Sequence, residues 1–124
     1  DYYQQNSFMP AAFDSKWKSN DKYSCLSGNA QISAMWSKMY FETKDEIFFG
    51  AAKKLNVELM MTQDCETQNL NILGGIKGSQ PIYGEILKNK GYCRLAYINW
   101  ATKYFVDALL LEKYTANHKK YRYV

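Results

Sequence analysis

Hydrophobic positions recur at helical spacing in three stretches of the chain, and those stretches differ in how much charge they carry. From Gly28 to Phe41, the residues Ile32, Met35, Trp36, Met39 and Tyr40 fall on one face of a 3.6-residue period. Ser27 stands where an N-cap is wanted. A second face, Ala30, Ser33, Ala34 and Ser37, is made of small residues that let a neighbouring helix come close. Lys38 is the only charge in the stretch. A helix with an apolar face, a small face and almost no charge is expected to be enclosed on most sides.

The stretch Thr43 to Gln63 reads differently, as a helix over about 45–63. Thr43 and Glu46 have capping-box spacing, with Asp45 as a rival cap. Phe48, Ala51, Ala52, Leu55 and Leu59 make one apolar stripe, while Lys53, Lys54 and Glu58 point elsewhere. That is the pattern of a surface helix, and the short link from Phe41 predicts an antiparallel helical hairpin. The third stretch predicts a helix over about 97–113. Tyr97, Trp100, Ala101, Tyr104, Phe105, Ala108 and Leu111 form its broad stripe. Up to Leu111 its only charges are Lys103 and Asp107, spaced to pair weakly.

The order is therefore enclosed, surface, enclosed. Hairpins arranged in a ring alternate inner and outer helices in this way, as in an α/α toroid, whereas a free three-helix bundle makes all three helices amphipathic. The fold class is all-α: helical hairpins from a toroid, with residues 1–124 as a single partial domain. The segment after Ala116 is short and polar, so the third helix needs cover from missing chain or another subunit.

Between the second and third helices, Asp64 to Ala96 shows no convincing period. A loop this long in a compact domain is usually functional or disordered. Its apolar residues, Ile72, Leu73, Ile76, Ile82, Tyr83, Ile86, Leu87 and Tyr92, disfavour disorder. Gly74, Gly75, Gly78 and Gly84 allow tight turns and close backbone approach, and Pro81 restricts Gln80. The segment reads as an ordered, Gly-rich loop, with room for a short strand pair. Its "GGIKGS" has neither the order of a P-loop nor the spacing of a dinucleotide fingerprint.

Composition narrows the classes. At 124 residues the chain is one modest core. Aromatics reach 16%, with 11 tyrosines, a composition suited to cores, interfaces and sugar-binding clefts. The net charge of +4 gathers partly in the tail, at Lys119, Lys120 and Arg122, and no basic stripe continues into the helices, so no nucleic-acid partner is expected. No apolar run is long enough for a membrane span, and no membrane partner is expected. Cys25, Cys65 and Cys93 are too widely spaced for a CxxC site and read as buried thiols. A reducing, cytoplasmic compartment fits them, with periplasmic or secreted placement open. The chain starts at Asp1 rather than methionine, as a trimmed or partial product would. The only histidine, His118, lies in the tail, which argues against a histidine-based triad or metal site, and neither metal nor cofactor is expected.

The ordered series "CLSGNAQISAMWSKMY", a hairpin ending in "TQD", "GGIKGSQPIYGE" and "YINWATKYFVDALLLE" resembles the last repeats of bacterial (α/α)6-toroid proteins. That group includes six-hairpin glycosidases, polysaccharide lyases and uronyl epimerases. The resemblance covers roughly residues 8–112, about a third of a whole toroid. It implies that the Gly-rich loop and the inner-helix ends face a central cleft where a polysaccharide or oligosaccharide binds, with the remaining repeats supplied from elsewhere. It assigns no catalytic residue.

The residues themselves offer candidates. Glycoside hydrolysis needs two carboxylates across a cleft. Glu85 is the best placed in the loop, with Asp64 and Asp14 as seconds. Uronate elimination or epimerisation needs a base and a cation on the sugar carboxylate, roles open to Tyr83 or Tyr92 and to Lys77 or Arg94. Lys77, Ser79, Gln80, Tyr83 and Glu85 put donors, acceptors and a carboxylate close together in sequence. Trp17 is the most open stacking platform of the three tryptophans, since Trp36 and Trp100 sit on apolar stripes. Asn29 and Asn99, at the starts of the enclosed helices, are candidate cleft-lining amides. A non-catalytic toroid that binds glycan or protein, its acids in structural roles, is the alternative.

Overall fold

The computed structural model describes residues 8–117 and is mostly helical. A two-residue strand β1 (Ser24–Cys25) leads into helix α1 (Leu26–Thr43), followed by α2 (Glu46–Thr62), strand β2 (Ser79–Gln80), a 3-10 turn at Ile86–Lys88, and α3 (Asn99–Ala116). The three helices match the three periodic stretches to within a few residues.

Helix ends follow local chemistry. The α1 helix starts before Ser27, at Leu26, whose N–H donates to the Gly78 carbonyl rather than to a side-chain cap. It ends at Lys44, in the left-handed conformation, with the Lys44 N–H on the Tyr40 carbonyl. Asp45 then caps α2 through its carboxylate on the Ile47 N–H. Thr43 does not form the capping box; its hydroxyl donates to the Met39 carbonyl.

Contacts between α1 and α2 run in opposite order along the two helices. Tyr40 bonds Glu46 and stacks on Phe49, while Ser33 meets Ala52 and Asn56. Toward α3 the order is parallel: Leu26 and Ala30 cluster with Ile98, Ala101 and Phe105. Helix α1 packs extensively on both α2 and α3, whereas α2 and α3 touch far less.

The small stripe makes this possible. Ala30, Ser33 and Ser37 have no exposed surface, because small side chains let two neighbours close on α1 at once. The larger stripe is not the enclosed one: Met35 is 49% exposed. Ile32 and Trp36 pack instead with Met9, Leu55, Ala51 and Phe13, under the N-terminal arm. On α2 the buried aromatic is Phe49, selected by its stack on Tyr40, and Phe48 is only half-buried.

One buried polar residue ties all three helices. Asn56 is fully buried; its Oδ1 accepts from Ser33 Oγ at 2.6 Å, and its Nδ2 donates to Glu112 Oε2 at 2.7 Å and toward the Ala108 carbonyl at 3.4 Å. It occupies the α2 stripe between Ala52 and Leu59, where an unbonded amide would cost stability.

Neither outer flank of α1 and α3 is closed within the described residues. On α3, Trp100, Val106, Leu110 and Tyr114 are each 40–47% exposed. Lys103 and Asp107 pair as their spacing predicts. No helix of the described residues is long and apolar enough to cross a membrane.

Candidate functional site

The segment from Gln63 to Ile98 folds over the end of the bundle where α1 and α3 begin. Ile76, fully buried in the core, accepts from the Ile98 N–H and donates its own N–H to Thr102 Oγ1. Gly78 passes its carbonyl to Leu26 and takes its N–H to the Ala96 carbonyl. Ser79 and Gln80 pair antiparallel with Cys25 and Ser24. One loop therefore supplies backbone partners at the starts of both parallel helices.

Gly78 can do this only as glycine. An added Cβ would lie 2.5 Å from the Tyr92 and Cys93 carbonyl oxygens. Gly84, at φ +64, lies against the Lys90 backbone, where Glu85 and Lys90 form a bridge around the Ile86–Lys88 turn.

The candidate acids hold this scaffold. Glu85 pairs with Lys88 at 2.7 Å and accepts from the Lys22 N–H at 3.3 Å. The Lys88 hydrogen bond, assisted by Lys22 and Lys90, keeps its carboxyl below the ordinary glutamate range, the direction opposite to that a proton-donating glycosidase acid needs. Beside it Lys90 pairs with Asp21 at 2.9 Å, which raises the lysine. Asp64 accepts from Tyr97 Oη at 2.7 Å and from the Thr67 N–H, while its backbone bonds Gly74 and Gly75. Asp14 accepts from the Lys16 and Lys18 N–H groups. Each acid closes a turn or joins two loop segments.

The Tyr97–Asp64 bond carries a pH signature. Its hydrogen bond to Asp64, with lesser help from burial, raises Tyr97 above the ordinary 10.0. The neutral hydroxyl thus favours the folded state; that contribution is complete below pH 10 and is lost as pH rises through the raised value. Tyr97→Phe should cost about 1–2 kcal/mol at pH 7. The gap from the parent should shrink in denaturant titrations above pH 10, and a gap that stayed constant would contradict the assignment.

The remaining candidates divide. Ser79 is buried, its hydroxyl donating to the Tyr92 carbonyl and accepting from the Tyr92 N–H. Lys77 is half-buried and its backbone bridges Tyr97. Tyr83 is 48% exposed. Asn99 is exposed on the first residue of α3. Trp17 is 76% exposed, near Phe13 at a ring distance of 6.0 Å. Trp100 is not core: it is exposed, and its indole N–H donates to Tyr92 Oη. Arg94, a candidate clamp for a sugar carboxylate, donates to Asn89 Oδ1. None of the thiols is fully buried; Cys65 is exposed, and all are free. His118 and the basic tail lie outside the described residues.

Asn29 and Gln80 do come together. They line a pocket of about 200 Å³ between the first turn of α1, the last turns of α2 and the β1–β2 pair. Phe8, Leu26, Leu59 and Met61 give it apolar walls, and Ser24, Glu58 and Thr62 complete it. The Ser24 and Thr62 hydroxyls are committed to the Met9 and Leu59 carbonyls. Asn29 is only 5% exposed, yet its amide makes no hydrogen bond among the described residues and is not sealed from solvent. Sequence periodicity turned Glu58 away from the core without revealing this pocket. Its walls come from four separated segments. No group of three or more potential metal ligands occurs among the described residues. No protein-family model, curated protein or solved structure matches this chain.

Proposed function

We propose that this chain is the glycan-binding C-terminal part of an α/α-toroid protein, and that its loop acids are structural rather than catalytic. The observation that carries the reading is the engagement of Asp14, Asp64 and Glu85, each bonded to the backbone it stabilises. Two further features support it. Helices α1 and α3 run parallel with α2 antiparallel beside them, the order of inner and outer helices in a ring of hairpins, and the loop crosses the shared end of the inner pair. The apolar residues on the outer side of α3 suit cover by further repeats, from missing chain or another subunit. If the complete protein is a hydrolase, lyase or epimerase, its acids come from outside this chain.

Titration calorimetry of the full chain against uronic-acid and neutral polysaccharides tests the reading. Saturable binding of at least one class is expected. Absence of binding across both removes the saccharide assignment.

A further inference from the structure

We infer that Arg94 is a clamp for the anionic substituents, carboxylate or sulfate, of an acidic polysaccharide, an inference that rests on the glycan-binding reading above and names its ligand class. The loop is built around this exposed side chain. Its stem lies against two glycines: an added Cβ at Gly84 would meet Arg94 Cδ at 3.2 Å, and one at Gly91 would run into both Cγ and Cδ. Its head donates to Asn89 Oδ1 at 2.6 Å, from a residue held at φ 51. An arginine fixed at stem and head before a ligand arrives gives up less freedom on binding. The fixing partner is a neutral amide, not an acid. Arg94 makes no ion pair among the described residues, so its charge is uncompensated and most of its donors stay open. A guanidinium in that state matches two oxygens of a carboxylate or sulfate.

The surroundings add to the charge. Residues 20–22 and 84–94, joined by the Lys22–Glu85 and Lys90–Asp21 bonds, hold four cations and two carboxylates. Glu85 is spent on Lys88 and Asp21 on Lys90. Arg94 and the Lys22 ammonium are left without acidic partners among the described residues. This excess is local. A nucleic acid presents closely spaced phosphates and favours a continuing basic track. Helix α1 has one lysine, and the two on α3 stand beside Asp107 and Glu112. A polysaccharide with one anion per ring or repeat needs only the single clamp. Two residues before Arg94, Tyr92 is exposed and accepts from the indole N–H of exposed Trp100, and such aromatic faces suit a pyranose ring.

The test is titration calorimetry of the full chain with alginate as the carboxylate polymer, dextran sulfate as the sulfated one, dextran as the neutral one, and duplex DNA as a phosphate polyanion. The parent should bind alginate or dextran sulfate roughly tenfold or more tighter than dextran, and the tighter of the two names the anion. Arg94→Gln should remove most of that preference and leave dextran binding unchanged. Arg94→Lys, which keeps the charge and loses the fork, should restore only part of it; thermal midpoints report the folding of both variants. Lys38→Gln, which removes an equal charge from an exposed position on α1, should change nothing. A parent that does not prefer an acidic polymer overturns the clamp and leaves the glycan reading standing. So does a preference undiminished in Arg94→Gln, one lost equally in Lys38→Gln, or DNA bound as tightly as the acidic polysaccharide. Failure to bind any polysaccharide overturns both.

Discussion

Asn56→Asp should lower the thermal midpoint by about 10 °C or more at neutral pH, and the loss should recover as the solution is acidified. The introduced carboxyl would sit where Asn56 Nδ2 now donates to Glu112 Oε2 at 2.7 Å. Two carboxylates at that separation cannot both ionise without strong repulsion. The substitution also removes a donor and keeps an acceptor, so Ser33 retains its partner while Glu112 and the Ala108 carbonyl lose the Asn56 N–H. A cost of about 3 kcal/mol follows from the buried charge and the broken network, and at about 4 °C per kcal/mol it sets the shift in midpoint. The introduced group has a folded pKa raised above its unfolded value of about 3.9. The variant is therefore closest to the parent below that pH, and its deficit grows as pH rises through the folded value. Asn56→Leu supplies the contrast, a loss that varies little with pH. Thermal unfolding of both variants between pH 4 and 8 distinguishes a hydrogen-bonded node from simple volume filling.

Gly78→Ala should cost about 3 kcal/mol or more. The new methyl would lie 2.5 Å from two backbone carbonyl oxygens and 2.6 Å from Cys93 Cβ, none of them the mobile end of a side chain. Something in the backbone must move. The segments in reach are those that hold the Leu26 N–H, the Ala96 carbonyl and the Ser79–Tyr92 exchange. Relief of the clash thus loosens the start of α1 and the loop together. Gly50→Ala is the control. Gly50 lies within α2 with nothing within 4 Å of an added Cβ, so alanine there should stabilise by about 0.5–1 kcal/mol. Denaturant titration of the pair checks the site dependence. Equal effects at both positions would contradict the close crossing at Gly78.

The helices were legible because their signal is local. Seventeen or eighteen residues of sustained period place α1, α2 and α3 without reference to anything distant. Which face of α1 is buried was less legible. Large apolar residues dominate a periodicity reading, yet the space between two close neighbours is filled by Ala30, Ser33 and Ser37, while of the larger stripe Ile32 and Trp36 pack under the N-terminal arm and Met35 is exposed. Asn56 carried a readable signal as a polar residue on the apolar stripe of α2, at helical spacing from Ala52 and Leu59. The loop was legible as ordered, from its apolar content, but not in its pairing. Strands of two residues have no period, and Ser79–Gln80 find Ser24–Cys25 only through the tertiary fold. The enclosure of α3 exceeded what the described residues provide, since Trp100 and Leu110 meet solvent there.

The candidate site followed the same division. Asn29 and Gln80 could be nominated as polar residues beside a helix start and a proline turn. Glu58, Met61 and Phe8 could not, because they reach the pocket from the far end of α2 and from the arm. Acid residues invited a catalytic reading by type alone. Their neighbours support the structural role proposed for them: Lys88 and the Lys22 N–H for Glu85, Tyr97 and the Thr67 N–H for Asp64.

Glycan turnover by the full chain carrying Glu85→Gln, set beside Asp64→Asn and read with the thermal midpoint of each, tests most directly whether these carboxylates are structural. Lower midpoints are expected for both variants, with any product formation by the parent retained per folded molecule. Variants that hold the parent's midpoint and glycan affinity while losing product formation would make the carboxylates catalytic, contradicting the role assigned to them here.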